Sequence, residues 1–313
     1  MRGVLVLALA GLVGCVPPPV YRVQRTARVP HPAAPLRTGE PLDGPVELSV
    51  GASSLGDVKS PELVDEQASL EVPREQMRGE LRIRLGKRGE FAPIFEQAMA
   101  GSMQALDSTQ APVKQGSPTG LGVAGRYSFE TGAPGFAIGV GLEVMSWQIP
   151  YVEYRTCVAN CEINSAPTMQ VTNGIETVST FGLALTPTYR RGPLALFAGA
   201  YTRRHPTIVR KGTERYAEDY DSEVDGGPYN WLVNAGLEYR LPIVSVLAMV
   251  QQNLTRDPVQ YAPSFGVAIA FRVPDQKRSR AHAVEPAPTP SFGPPGDPGE
   301  AHDSDAELPD DPW

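Results

Sequence analysis

The sequence predicts an all-β fold, an eight-stranded antiparallel transmembrane β-barrel over residues 79–273 with a disordered N-terminal tether and a disordered C-terminal tail. Three observations predict it. Apolar and polar residues alternate with a period of two through the middle of the chain, as in strands with two unlike faces. The polar face of those strands carries Gly, Ala, Ser, Thr, Arg and Glu, and no lysine falls inside them. The connections between the strands alternate between long and short.

In 81–85, Leu81, Ile83 and Leu85 share one face and Arg82 and Arg84 the other. In 121–130, Leu121, Val123, Tyr127 and Phe129 alternate with small or charged residues, and 135–145 repeats this with Phe136, Ile138, Val140, Leu142 and Val144. Segments 175–190, 228–240 and 264–273 follow, carried by Phe181, Leu183, Leu185 and Tyr189, by Tyr229, Trp231, Val233, Leu237 and Tyr239, and by Phe265, Val267, Ile269 and Phe271. Segments 193–204 and 242–253 complete eight strands but alternate poorly, since Leu194, Leu196, Phe197 and Tyr201 do not share a face.

Alternation alone fits a soluble sandwich and a membrane barrel equally. A solvated face would carry long polar side chains, whereas small residues beside a few charges suit the narrow interior of a small barrel. Aromatic residues also gather at strand ends. Phe129, Phe136, Tyr189, Tyr239 and Phe271 lie by short turns, and Trp147, Tyr151, Tyr201, Tyr229, Trp231, Tyr261 and Phe265 by longer connections, as in the two girdles of a membrane barrel. Trp147 and Tyr151 are out of phase with Phe136, which implies a bulge near Met145. The inward Arg82, Arg84, Arg126, Glu143, Glu176, Glu238 and Arg272 predict a filled lumen.

The N-terminus carries an address. An apolar run from Val4 to Val13 follows Met1-Arg2 and is too short to span a bilayer. It ends in Leu12-Val13-Gly14-Cys15, which resembles the lipobox of bacterial lipoproteins. The resemblance implies that residues 1–14 are a signal peptide, that Cys15 is acylated with chains such as palmitate, and that the protein works in a Gram-negative envelope. Val16 in place of an aspartate implies retention in the outer membrane. A lipid in the periplasmic leaflet would bring the tether in from the periplasm, so that 81–85 runs outward and both tails are periplasmic. Connections 86–120, 152–170, 205–227 and 254–263 then face the outside, and the turns at 131–134, 191–192 and 241–242 face the periplasm. On this pattern residues 79–273 resemble the small outer-membrane barrels of the OmpA and OmpX kind, from which the chain departs in its lipobox and in the 40 residues after 273.

Residues 15–78 and 274–313 are rich in proline and lack a hydrophobic period, which predicts a disordered periplasmic tether and a disordered tail. The net charge of −7 provides no electrostatic footprint for nucleic acid. With Cys15 acylated, Cys157 and Cys161 remain as a pair, and an oxidising compartment favours a disulfide between them. A metal site there would need two further ligands, and His205 is the nearest histidine in sequence.

The loops hold the remaining candidates. Phe91, Ile94, Phe95, Ala98 and Met99 stand at helical spacing and predict an amphipathic helix in connection 86–120. Asp221-Ser222-Glu223-Val224-Asp225-Gly226 resembles the opening of an EF-hand loop, but Leu232 occupies the place of the closing glutamate, so a solvated acidic loop is expected over 219–227. Arg203-Arg204-His205-Pro206 is a basic rim cluster suited to lipid phosphates. The barrel region shows no nucleophile elbow, phosphate loop or metal signature. These features favour a non-enzymatic outer-membrane lipoprotein without cofactor or catalytic residue, serving structure, adhesion or an envelope complex. Its partners would be membrane lipid, other envelope proteins or peptidoglycan. A lipid-modifying barrel enzyme using His205 and a soluble periplasmic barrel holding an apolar ligand are the alternatives.

Overall fold

The computed structural model describes residues 19–56, 62–63, 68–99, 116–162, 169–211, 221–256 and 261–274. The elements are β1 (Val20–Arg28), β2 (Val46–Leu55), β3 (Glu62–Leu63), β4 (Ala68–Glu71), β5 (Glu75–Leu85), β6 (Gly89–Met99), β7 (Thr119–Glu130) and β8 (Phe136–Ala159). They continue with β9 (Met169–Arg191), β10 (Leu194–Arg204), β11 (Thr207–Lys211), β12 (Asp221–Asp225), β13 (Tyr229–Arg240), β14 (Val244–Asn253) and β15 (Ser264–Arg272). Ten of them close into an antiparallel barrel in the order β8-β7-β6-β5-β2-β15-β14-β13-β10-β9, with β9 returning to β8. Closure pairs the backbone of every barrel strand on both sides, which is what a medium without hydrogen-bond partners requires.

The count is ten rather than the expected eight because β2 and β6 escape the sequence pattern. In β2, Leu48 and Val50 face outward while Glu47, Ser49 and Gly51 face inward, but this short alternation sits in a proline-rich stretch. In β6 both faces are apolar, with Phe91, Phe95 and Met99 outside and Ala92, Ile94 and Ala98 inside. Apolar residues on both faces imitate helical spacing, so the helix expected at 91–99 is a strand. Pro93 interrupts the β5–β6 ladder between the Glu80–Ile94 and Ile83–Phe91 pairs, since it has no N–H to donate.

The barrel has two unlike ends. One carries turns at 86–88, 131–135, 192–193 and 241–243, the start of β2 and the end of β15. Gly192 takes φ of 61° in the turn between β9 and β10, a left-handed conformation that glycine adopts without steric cost. The other end carries the long connections after β2, β6, β8, β10 and β14. Strand β5 therefore runs toward the short-turn end, the reverse of the direction expected for 81–85.

Strands β8 and β9 span 24 and 23 residues and outrun their neighbours. Their pairing keeps one register from Phe136–Tyr189 to Thr156–Met169, so there is no bulge near Met145. Trp147 instead points inward and is fully buried. β7 leaves β8 at the Thr119–Gln148 pair, and β1 takes over from Ala27–Tyr151 to Val20–Ala159. β4 lies parallel to β1, β3 pairs with β4, and the β11–β12 hairpin completes a cap over the long-connection end.

The described residues between 19 and 78 are thus not a tether ahead of the barrel. They hold β1, the barrel strand β2 and the small strands of the cap, and the boundary expected at 79 falls inside β5. Both tails were expected at one end. The structure places Val20 at the long-connection end and Arg272 at the short-turn end. Residues 1–18 and 275–313 lie outside the described residues.

Candidate functional site: a lumen occupied by the chain itself

Between β1 and β2, residues 29–45 run down the inside of the barrel. Val29 and His31 are fully buried, and Ala33, Ala34, Arg37, Thr38 and Leu42 are buried as well. Fixed positions of the wall mark the descent. His205 donates from Nε2 to the Pro30 carbonyl at 2.5 Å, and its Nδ1 accepts from the Tyr261 hydroxyl at 3.3 Å. His31 donates from Nδ1 to the Pro73 carbonyl at 3.3 Å, leaving Nε2 to accept from Ser53 Oγ at 2.8 Å. Gln251 accepts from the Ala34 amide at 2.8 Å and donates to the Pro32 carbonyl at 3.0 Å. Lower down, the Gly39 amide donates to Thr188 Oγ1 at 2.6 Å and Glu40 accepts from Arg190 Nε at 2.7 Å.

Proline suits this path. A segment enclosed by finished strands has no ladder to join, so each of its N–H groups needs a partner found singly, and every proline removes one such need. Close approach selects glycine at one point. A Cβ on Gly39 would run into the Thr186 carbonyl oxygen and stand 2.9 Å from the Gly139 nitrogen.

The filling has three layers. Under the cap, Val29, Leu70, Trp147, Ile149, Val178 and Ile208 form an apolar core, with Trp147 donating to Thr180 Oγ1 at 3.2 Å. The middle layer is ionic. Arg78 reaches Glu80 at 2.5 Å, Glu143 at 2.6 Å and also Glu96. Arg203 stands 3.3 Å from Glu96 and 3.2 Å from Glu143, and the Tyr201 hydroxyl donates to Glu143 at 2.9 Å. Arg82 bridges Glu90 at 2.8 Å and Glu47, while Arg37 of the lumen segment lies 3.8 Å from Glu80. Together with Arg126, this layer holds five arginines (37, 78, 82, 126 and 203) and five glutamates (47, 80, 90, 96 and 143), all buried. Charge removed from water costs several kcal/mol per ion unless partners stand close, and the layer is balanced to match. Arginine serves here because its five donors can engage several carboxylates at once.

The lowest layer depends on the segment for its balance. Arg190, Arg240 and Arg272 meet Glu238 of the wall and Glu40 and Asp43 of the segment. Without the segment, the three arginines would be left with Glu238 and, for Arg272 alone, Glu47 at 3.5 Å. An apolar patch beside the middle layer makes the same point, since the inward Leu247, Met249, Phe197 and Ala268 pack on Ala34 and Leu36. The gap left beside Leu36, bounded by Ser49, Gly51, Arg78, Glu80 and Ala268, measures about 10 Å³, room for one water at most.

The sequence candidates fall in different places. Arg82, Arg126, Glu143, Glu238 and Arg272 do face the lumen and are buried. Arg84 is half-buried near the short-turn end and donates to the Asp43 carbonyl at 3.1 Å. Glu176 pairs with Arg25 of β1 in the cap. Cys157 and Cys161 are bonded to each other, with Cα atoms 6.0 Å apart, beyond the long-connection rim. Cys15 lies outside the described residues. His205 is not on a lipid-facing rim. It is 3 % exposed, and burial lowers its pKa to about 3, opposed by the Pro30 carbonyl and reinforced by Arg203. Asp221–Asp225 forms β12, extended backbone rather than a loop wrapped about an ion, and no metal-binding cluster occurs among the described residues. Of the outer girdle, Trp147, Tyr201 and Tyr261 are buried inside, and Tyr229, Trp231 and Phe265 remain on the surface.

No protein-family model matches the chain, and no curated protein matches its sequence. Solved structures with similar arrangements include the translocator domain of the autotransporter NalP from Neisseria meningitidis, at 12 % identity over 87 % of this chain and 95 % of that one, with a TM-score of 0.31. The N-terminal β-barrel domain of OprF from Pseudomonas aeruginosa aligns at 9 % identity over 72 % of this chain and 96 % of that one, with a TM-score of 0.29. LpxR from Salmonella typhimurium aligns at 7 % identity over 72 % of this chain and all of that one, with a TM-score of 0.33. Likeness at that level does not carry function from one chain to another.

Proposed function

We propose that this chain is a non-enzymatic outer-membrane β-barrel lipoprotein, anchored through Cys15, whose lumen is closed and whose outer cap serves envelope structure, adhesion or an envelope complex. The observation that carries this reading is the segment 29–45 inside the barrel, held by the ionic and apolar layers just described. A lumen so occupied is a support for the cap rather than a passage, and it leaves no room for an apolar ligand beside Leu36. His205, the residue an enzymatic reading would need, is buried and holds the lumen segment at the Pro30 carbonyl.

The membrane setting is supported by the outer surface. Leu121 is 63 % exposed, Trp231 57 % and Ile269 46 %, within a belt of outward apolar side chains that runs around all ten strands. Soluble monomers rarely expose contiguous apolar patches beyond a few hundred Å². A barrel face of this kind needs lipid, and aromatic residues at its edges fit the interfaces.

Planar bilayers provide the test. The purified full chain should insert and show little steady conductance, and it should not stay in solution without detergent. A large, stable channel would contradict the closed lumen, and a detergent-free soluble monomer would contradict the membrane assignment. Anchoring is read separately, by metabolic labelling with a fatty-acid probe. Label on the wild type and none on Cys15→Ala is the expected result, and equal labelling of both would refute acylation at Cys15.

A further inference from the structure

The lumen segment joins opposite ends of the barrel, and its direction has a consequence for the amino terminus. Val20 pairs with Ala159 in the part of β8 that outruns β7, beyond the long-connection rim. Val46 starts β2 at the short-turn end, where the Val273 amide donates to its carbonyl at 3.0 Å. Between these points the contacts descend in sequence order, from Pro30 at His205 through Ala34 at Gln251 and Gly39 at Thr188 to Asp43 at Arg240.

We propose that this barrel carries its own amino-terminal end through its lumen to the outer face of the membrane, so that the acyl chains of Cys15 sit outside the cell and not in the periplasmic leaflet. The proposal rests on the outer-membrane lipoprotein reading above, with the long connections outside as in other barrels of this kind. Reach makes the argument quantitative. Cys15 lies four residue steps before Pro19, and an extended chain spans at most about 3.6 Å per step, or about 14 Å. The apolar band of an outer-membrane barrel is about 25 Å tall. A lipid on Cys15 therefore cannot lie in the inner leaflet while β1 stands beyond the outer rim.

The segment is built to stay where it is. Three wall arginines at the short-turn end find two of their four carboxylates on it, and Gly39 lies where no larger residue fits. β1 is tied down separately, by its ladder with β8, by the Arg25–Glu176 ion pair and by Arg25 stacked 3.8 Å over Tyr151. Either end alone would leave the path free to slide, whereas both together fix it. A segment that is flanked by the first barrel strand and is also enclosed by the other nine must be in place as the barrel closes.

The test uses the full chain in living cells with a membrane-impermeant maleimide, each label mapped to its residue by peptide mass spectrometry. Three exposed positions are replaced singly, Arg22→Cys in β1, Arg256→Cys in the last long connection and Lys87→Cys in the first short turn. Intact cells should label Arg22→Cys and Arg256→Cys, and Lys87→Cys should label only after the outer membrane is opened. Protection of Arg22→Cys with labelling of Arg256→Cys would mean that the amino-terminal end is not outside. Protection of both with Lys87→Cys labelled would mean that the barrel is inserted the other way round, and either outcome overturns the proposal. A short epitope between Pro19 and Val20, probed with antibody on intact cells, reads the same point without a thiol. None of these readings depends on acylation. Free thiol mapped to Cys15 itself, or absent fatty-acid label, would defeat the lipoprotein reading while leaving the display of the amino terminus intact.

Discussion

Arg78→Met should cost about 3–5 kcal/mol of stability, the range for removing one partner of a buried ionic cluster. The Arg78 guanidinium touches Glu80, Glu96 and Glu143 at once, and each of these carboxylates is buried. Methionine keeps much of the volume and none of the donors. Glu96 and Glu143 would then have Arg203 as their nearby cation beside neutral donors from Gln76 and Tyr201, and Glu80 an Arg37 that stands 3.8 Å away. The loss comes from stranded carboxylates rather than from the value of one pair, so Arg78→Lys should recover only part of it, because one ammonium cannot span three acceptors. Urea unfolding in detergent, followed through tryptophan fluorescence, measures both variants. A loss under 1 kcal/mol for Arg78→Met would mean that the middle layer is wet, and the closed lumen would have to be given up.

The second large effect belongs to the outer wall. Ile269 lies midway along β15 between Val50 and Val246, with the inward Ala268 and Ala270 on either side. Ile269→Arg should cost about 2–4 kcal/mol near the midplane of a bilayer, because a guanidinium there finds no partner. Ile269→Leu keeps volume and polarity and should stay below about 1.5 kcal/mol. The contrast is diagnostic, since an exposed position on a soluble barrel would tolerate arginine. Folding into vesicles of defined lipid, with unfolding by guanidinium, compares the three chains. Equal stability of Ile269→Arg and wild type would place this face in water.

The same contrast between outer and inner wall explains what could be read from the residues in advance. Outward positions such as Leu121, Val140, Leu183, Leu237 and Val267 are legible because they are apolar and exposed while their neighbours in sequence face inward, which leaves a clean period of two. Inward positions follow no such rule, because their neighbours are supplied by a segment distant in sequence. Leu247 and Met249 spoil the alternation of β14 since they face Ala34 and Leu36. Phe197 and Tyr201 spoil that of β10 since both face the lumen, Tyr201 reaching Glu143 and Phe197 lying over Gly236 of the neighbouring strand. Trp147 suggested a bulge for a similar reason. It belongs to the apolar core beneath the cap and not to a girdle.

The proline-rich stretch was the largest misreading, and its cause is physical. Pro30, Pro32, Pro35 and Pro41 give a segment no hydrophobic period and no strand signal, which in most settings marks a disordered linker. Enclosed in a barrel, the same composition is an advantage, because fewer N–H groups need partners. The arginines offered the one available signal. Arg190, Arg240 and Arg272 gather at the short-turn end, where the wall offers Glu238 and a Glu47 that Arg82 also engages, an imbalance that calls for carboxylates from elsewhere in the chain. Glu40 and Asp43 supply them.

The closed lumen rests on where residues 29–45 lie, and a cross-link reads that placement most directly. The Leu36 side chain comes within 3.0 Å of the position a Cβ on Gly266 would take. The double variant Leu36→Cys, Gly266→Cys exchanges the two volumes, so it should fold, and a short bifunctional thiol reagent should join the two residues in the native barrel. Peptide mass spectrometry should then recover the lumen segment linked to β15, with no link after unfolding. A folded, heat-modifiable barrel that yields no such link would put the segment outside the lumen and contradict the account.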